Sequence, residues 1–241
     1  MAELVYQQVI KDLKKRIFAN EFLDMRLPDE RSLAESYQVS RSSIKRALAK
    51  MANDGIIFKK RGSGTFINPL YLKNESVFNY EAASNLGVTD NFQMDGKKPT
   101  TKVLSFEVIL PSKELQRDLF LNEEDFVYKI VRLRSFGATP FMIETGYIPI
   151  KIMPQLSRKD IENSIFKYLE KQYKQSVTKS FMSVFAEPST ENDRELLGLQ
   201  VNEPTGIMEG IFFLDNGTPF EFSHMRLHYK YLKFNTFVSV H

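Results

Sequence analysis

The chain has 241 residues, of which 42% are hydrophobic and 26% are charged, and its formal net charge is +3. These values fit a folded protein of one or two domains and exclude a disordered or fibrous chain. The absence of cysteine excludes disulfides, thiol nucleophiles and cysteine metal sites. Neither a signal peptide nor a membrane-spanning run is expected, so we expect a cytoplasmic protein without a membrane partner.

Positive charge is concentrated at the start of the chain. Residues 1–70 hold 13 Lys and Arg against 8 Asp and Glu, whereas residues 71–241 hold 20 against 22. Phosphate neutralisation supplies most of the sequence-independent affinity of proteins for nucleic acid. Residues 1–70 are therefore the part predicted to meet a polyanion.

The same residues predict three helices. Between residues 4 and 18 apolar side chains recur every three or four positions, which places them on one helix face. Asp29 is the expected N-cap of a second helix. Ser40 is the expected N-cap of a third helix, which should end at Gly55 in a left-handed conformation.

Two β-prone runs follow, at residues 56–58 and 65–67. A basic, glycine-containing stretch separates them, so the two runs are predicted to pair as a hairpin. Three helices and this hairpin predict a winged helix-turn-helix DNA-binding domain at residues 1–70.

The first turn of the third helix and the hairpin tip are the predicted DNA-contacting places. The major groove admits one α-helix, and Arg41 is long enough to be bidentate to guanine. At the tip, Gly62 permits close backbone approach and Arg61 can enter a minor groove. Taken singly, each feature also fits a helix cap, a solvated face or an ordinary turn, but their joint occurrence favours DNA binding. The predicted contacts are Ser40, Arg41, Ser42, Ser43, Lys45, Arg61 and Gly62.

The remaining chain predicts a linker and a second domain. Residues 71–85 show little periodicity and are predicted to be the linker. Strand-like runs then alternate with helical patterns, which predicts an α+β domain with a mainly antiparallel sheet. The predicted strands are 102–110, 126–136, 140–149, 178–186, 206–214 and 220–229, and the predicted helices are 113–119, 165–173 and 191–197.

No catalytic centre is predicted in this second part. It contains neither a nucleophile elbow nor a glycine-rich nucleotide loop. His224 and His228 share one face of a predicted strand, but a metal site needs further ligands that the sequence does not offer. We therefore expect no metal, no cofactor and no enzymatic activity.

Arg132 and Arg134 stand out in one predicted strand. Strand alternation places both guanidiniums on the same face, which would form a paired anion clamp. Glu144 on the next strand can reach that face, so a surface salt-bridge ladder is the alternative. The residues alone leave both possibilities open.

The run LPDERSLAESYQVSRSSIKRALAKMANDGIIFKKRGSGTFI resembles the DNA-binding signature of the GntR family of bacterial transcription regulators. The resemblance implies that Arg31, at the start of the second helix, also contacts DNA. Asp29 stands where the family often carries serine, and both residue types cap helices.

The runs VYKIVRLRSFGATPFMIETGYIP and EPTGIMEGIFFLDNGTPFEFSHMRLHYKYLKF resemble the UTRA domain of the HutC-type branch, which shares its fold with chorismate lyase. The resemblance implies an effector-binding and dimerisation domain at residues 86–241. Leu227 replaces a tyrosine common in the last strand, which points to a different sugar subsite or ligand class. By resemblance to members that sense phosphorylated sugars, the effector contacts are Gly87, Val88, Thr89, Arg132, Arg134, Glu144, Ser164 and Glu221.

The sequence thus predicts a ligand-responsive repressor that binds double-stranded operator DNA as a homodimer and is released by a small anionic effector such as a phosphosugar. Two copies are expected because one recognition helix reads only a few base pairs. Two alternatives remain: a second domain that only dimerises, and a chorismate-lyase-like enzyme domain.

Overall fold

The structure is a computed structural model that describes residues 4–72 and 98–234. The chain divides into two compact units, with residues 4–72 in the first and residues 98–234 in the second. Among the helices of these residues, none is long and apolar enough to span a bilayer.

The first unit contains helices and a small antiparallel sheet. Its elements are α1 (Val5–Phe18), β1 (Arg26–Leu27), α2 (Glu30–Tyr37), α3 (Arg41–Asn53), β2 (Ile57–Lys60), β3 (Gly64–Ile67) and α4 (Pro69–Leu72). The sheet order is β1-β3-β2. The three predicted helices and the hairpin are therefore present, and the short strand β1 is an addition that the sequence pattern did not predict.

Apolar stripes on α1 and α3 form the core of this unit. Val9, Leu13 and Ile17 of α1 are buried against α3, whose Ile44 and Leu48 are fully buried. Burial of one stripe on each helix leaves the opposite face of α3 in solvent.

Local residues set the ends of these helices. Asp29 caps α2 by accepting hydrogen bonds from the backbone N–H groups of Arg31 and Ser32, both at 2.9 Å. Gly55 has φ +70° two residues after the end of α3, so the predicted left-handed stop is confirmed.

The second unit is a six-stranded antiparallel sheet with helices on it, which confirms the predicted α+β class. Its strands are β4 (Thr100–Ile109), β5 (Val127–Phe136), β6 (Thr139–Pro149), β7 (Val177–Pro188), β8 (Pro204–Leu214) and β9 (Pro219–His228). Its helices are α5 (Lys113–Leu119), α6 (Ile165–Tyr173) and α7 (Glu191–Leu197). Most predicted strand ends lie within two residues of the observed ones.

The strand order β4-β5-β6-β9-β8-β7 inserts β9 between β6 and β8. Tight turns connect β5 to β6 and β8 to β9, with φ values of +60° at Gly137 and +85° at Gly217. Helix α6 packs through Ile165 and Leu169 on one side of the sheet, in the same apolar cluster as Ile130 of β5. The order places β5, β6 and β9 side by side, and the polar residues considered below lie on these three strands.

Candidate functional site

The N-terminal turn of α3 is organised by Ser40. The hydroxyl oxygen of Ser40 accepts a hydrogen bond from the backbone N–H of Ser43 at 3.2 Å. The same oxygen lies 2.8 Å from Oγ of Ser42 and 2.9 Å from Oγ of Ser43. Three serine hydroxyls are thus gathered at the positive end of the helix dipole, a favourable place for a phosphate.

The basic side chains of α3 lie on its outer face. Arg41 and Lys45 are exposed. Ile44 and Leu48, on the opposite face of the same helix, are fully buried. Neither Arg41 nor Lys45 is hidden in the protein, so both remain accessible to a duplex.

The hairpin tip carries Arg61 and Gly62, and both residues are exposed. Gly62 has φ +74°, and a Cβ atom there would touch nothing. The glycine is therefore required by backbone conformation rather than by space. Lys59 Nζ lies 2.9 Å from Glu30 Oε1, which ties β2 to α2.

Arg31 lies on the exposed face of α2, one turn from Glu35. Its Nε atom is 3.0 Å from Glu35 Oε1, and 78% of its side chain is accessible. An ion pair this exposed contributes little stability, so little is lost when Arg31 turns to another anion. All eight predicted DNA contacts therefore lie outside the apolar core.

In the second unit, Arg132 and Arg134 lie on the same face of β5, as strand alternation predicted. They are 5% and 0% exposed, so this face is interior. Arg132 stands directly opposite Glu144 of β6, and its Nη2 atom is 2.8 Å from Glu144 Oε1. The ion pair that the sequence suggested is present, but it is buried and does not form a surface ladder.

Arg134 is fixed by a different strand. Its Nη1 atom donates to Oγ1 of Thr101 on β4 at 2.8 Å and lies 3.9 Å from Glu144 Oε2. Burial lowers the pKa of Arg134 to about 10; Arg132 adds to this effect and the Glu144 carboxylate opposes it. The guanidinium is still protonated at neutral pH.

Arg132 also reaches the loop that leads into α6. Its Nη1 atom donates to the carbonyl oxygens of Ile161 at 3.2 Å and Asn163 at 3.3 Å. The next residue, Ser164, is the N-cap of α6, and its hydroxyl accepts from the backbone N–H of Lys167 at 3.4 Å. The arginine thereby brings the N-terminus of α6 to the buried cluster.

Glu221 of β9 completes the polar cluster. The residue is 2% exposed, and burial together with the nearby charge of Glu144 raises the pKa of its carboxyl to about 8, against the opposing effect of Arg132. Gly146 makes room for this carboxyl, because a Cβ atom at that position would lie 2.5 Å from Glu221 Oε1. At neutral pH, the Glu221 carboxyl group is therefore largely neutral, and Arg132 is paired with Glu144.

The cluster has hydrogen-bonding capacity that the protein does not use. Among the described residues, Arg132 Nε and Glu144 Oε2 are buried without a hydrogen-bond partner. Buried polar atoms are normally satisfied, by protein, water or ligand. One free donor and one free acceptor beside two arginines suit a polar, anionic molecule.

Some residues of the predicted effector site are not part of this cluster. Gly87, Val88 and Thr89 lie outside the described residues. Leu227 is fully buried in an apolar cluster with Phe141 and Met142. At this position the sheet therefore has an apolar side chain that packs in the core, and it has no tyrosine hydroxyl group.

The two strand histidines have other partners. His224 Nδ1 lies 3.0 Å from Glu209 Oε2, and the ring of His228 stacks on Tyr229 with centroids 5.0 Å apart. In the part of the chain that the structure describes, no three His, Asp or Glu residues are grouped to hold a metal ion.

Sequence reasoning missed two supporting residues, Thr101 and Gly146. Thr101 meets Arg134 because the two residues are register partners across β4 and β5. Gly146 lies beside Glu221 because β9 returns to pair with β6. Strand order and register carry this information, and a single sequence does not display either.

Comparison with known proteins places both parts of the chain. Residues 5–67 match the gntR family of bacterial regulatory proteins, and residues 94–233 match the UTRA domain. The HTH-type transcriptional regulator GmuR of Bacillus subtilis (strain 168) is 32% identical over 224 residues, which cover 92% of this chain and 92% of GmuR.

Solved structures agree with these matches. The possible transcriptional regulator YydK from Bacillus subtilis superimposes with a TM-score of 0.80 at 25% identity, over 98% of this chain and 100% of that chain. The effector-binding domain of the B. subtilis trehalose repressor (TreR) superimposes with a TM-score of 0.52 at 26% identity, over 59% of this chain and 100% of that chain.

These relatives are transcription regulators, which removes the enzyme alternative for the second domain. A winged helix-turn-helix with its basic face in solvent and a sheet domain with a polar interior cluster agree with that assignment. The chain belongs to the GntR family of bacterial transcription regulators, in its HutC-type branch with a UTRA domain, and is a ligand-responsive DNA-binding regulator.

Proposed function

We propose that the protein is a cytoplasmic, homodimeric repressor whose polar cluster on β5, β6 and β9 binds a small anionic effector such as a phosphorylated sugar. In this proposal residues 1–70 bind a palindromic operator, residues 71–85 act as a linker, and residues 86–241 bind the effector and dimerise. Occupation of the cluster favours a form whose recognition helices no longer match the operator.

The DNA-binding role rests on the outer face of α3 and the hairpin tip. Arg41 reads a base edge in the major groove, the serine hydroxyls and Lys45 bind phosphates, and Arg61 follows the minor groove. Arg31 adds a phosphate contact from α2. Two copies place their helices in half-sites about 34 Å apart, one helical turn of DNA.

The observation that carries the effector role is the unused hydrogen-bonding capacity of the buried arginine and glutamate cluster. Arg132 Nε and Glu144 Oε2 lie there without a hydrogen-bond partner among the described residues, and burial of unsatisfied polar atoms beside charged groups is unfavourable unless a ligand or water satisfies them. A phosphate group carries negative charge and accepts from guanidinium N–H groups. The free Arg132 Nε, and the N-terminus of α6 at Ser164, add donors of the same kind.

The carboxyl groups suit the rest of such a ligand. Glu144 Oε2 is a free acceptor, and a neutral Glu221 both donates and accepts. Sugar hydroxyls need that combination of partners. The similarity to the effector-binding domain of the trehalose repressor supports a carbohydrate effector, and the arginines select its phosphorylated form.

Thermal unfolding against a panel of sugars tests this proposal. Each sugar is offered with and without its phosphate, and inorganic phosphate serves as a further probe. A ligand at about 100 times its dissociation constant adds about 2.7 kcal/mol to the free energy of unfolding. We expect only phosphorylated sugars to shift the melting temperature, and the same compounds to release operator DNA in an anisotropy assay.

The variant Arg134→Glu should abolish the thermal shift and leave operator binding intact. Lys102→Glu is the matched control, because Lys102 is exposed and adjoins Thr101 on β4. A protein that binds operator DNA but responds to no member of the panel would support the alternative in which the second domain only dimerises.

A further inference from the structure

Helix α3 has one row of side chains that faces directly away from the core of the first unit. At about 3.6 residues per turn, the residues that share this row are Ser42, Arg46, Ala49 and Asn53. All four are exposed, and the buried stripe of α3 lies on the opposite side of the helix. Arg46 is the charged residue of this row. When the helix lies in the major groove, the row opposite its buried stripe faces the base edges.

Arg46 is held in place by an aromatic ring of α1. The central carbon of its guanidinium lies 4.3 Å from the centroid of the Tyr6 ring, well inside the distance of about 6 Å at which a cation is attracted to a ring face. Tyr6 is partly buried and packs against the core of the unit. The ring therefore restricts the position of a guanidinium that is otherwise exposed to solvent.

The N–H groups of Arg46 have no acceptor in the protein. Within residues 4–72 and 98–234, Arg46 forms no ion pair and no hydrogen bond, and the Tyr6 ring is its one partner. Arginine carries five N–H donors at the edge of a planar group, and this group commonly stacks flat on aromatic rings. An arginine fixed by a ring, with its donors unused, is arranged for the two parallel hydrogen bonds that O6 and N7 of guanine accept.

We infer that Arg46 contacts a second guanine of the operator, beyond the base contacted by Arg41, and that Tyr6 positions its guanidinium for this contact. The inference rests on the proposed binding of α3 in the major groove. It adds one base-contacting residue, Arg46, and one positioning residue, Tyr6, which acts only through Arg46. Their pairing depends on the packing of α1 against α3, so no local sequence motif marks it.

Binding to duplexes that differ at single base pairs tests this inference. The full-length wild-type protein selects its preferred duplex from a random pool, and each base pair of that duplex is then changed in turn. A bidentate contact between arginine and guanine distinguishes the correct base by about 5- to 150-fold. Arg46→Ala should lose discrimination of this size at one G·C pair. Lys11→Ala removes an exposed positive charge from α1 and, as the matched control, should leave discrimination unchanged at every position.

Two substitutions of Tyr6 separate positioning from packing. Tyr6→Phe keeps the ring and should keep the wild-type discrimination. Tyr6→Leu keeps an apolar side chain without a ring and should reduce discrimination at the same G·C pair by about two- to fivefold. Added to Arg46→Ala, it should cause no further loss at that pair. Thermal unfolding of each variant confirms that it is folded, and a purely structural role of Tyr6 would lower the melting temperature without changing discrimination.

Arg41→Ala, measured alongside, separates failure of this inference from failure of the proposed operator contact. If Arg41→Ala loses discrimination at its base pair and Arg46→Ala loses none, the inference is overturned and the proposed function stands. An Arg46→Ala loss that is equal for all duplexes indicates a phosphate contact and also overturns the inference. If neither variant loses discrimination, the proposed role of α3 fails with it. A loss confined to one G·C pair with Arg46→Ala, smaller with Tyr6→Leu and absent with Tyr6→Phe, supports the inference.

Discussion

Replacement of Glu221 by glutamine should remove a large part of the pH dependence of stability. Glu221 is 2% exposed, and burial and Glu144 raise the pKa of its carboxyl from 4.5 to about 8. Because the folded-state value is higher than the unfolded one, the folded protein binds a proton more tightly between these pH values. The stability due to the neutral carboxyl is therefore fully present below pH 4.5 and is lost as the pH rises towards 8.

The size of the effect follows from the shift. Each pKa unit corresponds to about 1.4 kcal/mol, so the wild-type protein should lose roughly 5 kcal/mol from this group across the window, as an upper value. Glutamine has the same shape and does not titrate. The difference in unfolding free energy between wild type and Glu221→Gln should therefore change by several kcal/mol between pH 5 and pH 8, with wild type favoured at the acidic end.

Urea unfolding followed by far-ultraviolet circular dichroism measures this difference at each pH. Glu123→Gln is the matched control, because Glu123 is exposed. It reports how the same substitution affects unfolding away from the buried cluster. A wild-type-minus-Glu221→Gln difference that stays flat from pH 5 to pH 8.5 would show that Glu221 is ionised throughout, and the charge balance proposed for the cluster would be wrong.

Three further predictions concern the DNA contacts of α3 and the packing of Glu221 against Gly146. Arg41→Ala should cost about 1 to 3 kcal/mol in operator affinity and relax specificity at one base position, measured by anisotropy against single-base operator variants; unchanged affinity would refute the assigned role of α3. Lys45→Ala should weaken all duplexes alike and reduce the slope of log affinity against log salt by about one; a loss confined to one sequence would contradict a phosphate contact. Gly146→Ala places a Cβ atom 2.5 Å from Glu221 Oε1. The substitution should therefore cost about 1 to 3 kcal/mol in unfolding free energy and abolish the effector-induced thermal shift. A variant with wild-type stability and wild-type response would show that the close contact between Gly146 and Glu221 is not required.

Much of the fold follows from local sequence signals. Apolar spacing predicted α1 and α3, and capping residues such as Asp29 and Ser40 predicted where α2 and α3 begin. These features depend on neighbours within one or two turns, which the sequence displays directly. The two-residue strand β1 was missed because it has no periodicity of its own and exists only through pairing with β3.

The sequence by itself determined that Arg132 and Arg134 share one face of a strand, because alternation is a local property of β structure. Only the tertiary structure decided that this face is interior and that β4 and β6 bring Thr101 and Glu144 to the two guanidiniums. The return of β9 beside β6 decided that the Glu221 carboxyl is buried on Gly146 with a raised pKa. Charge state depends on burial and on neighbours that are distant in the chain, so strand order had to be known before this cluster could be described.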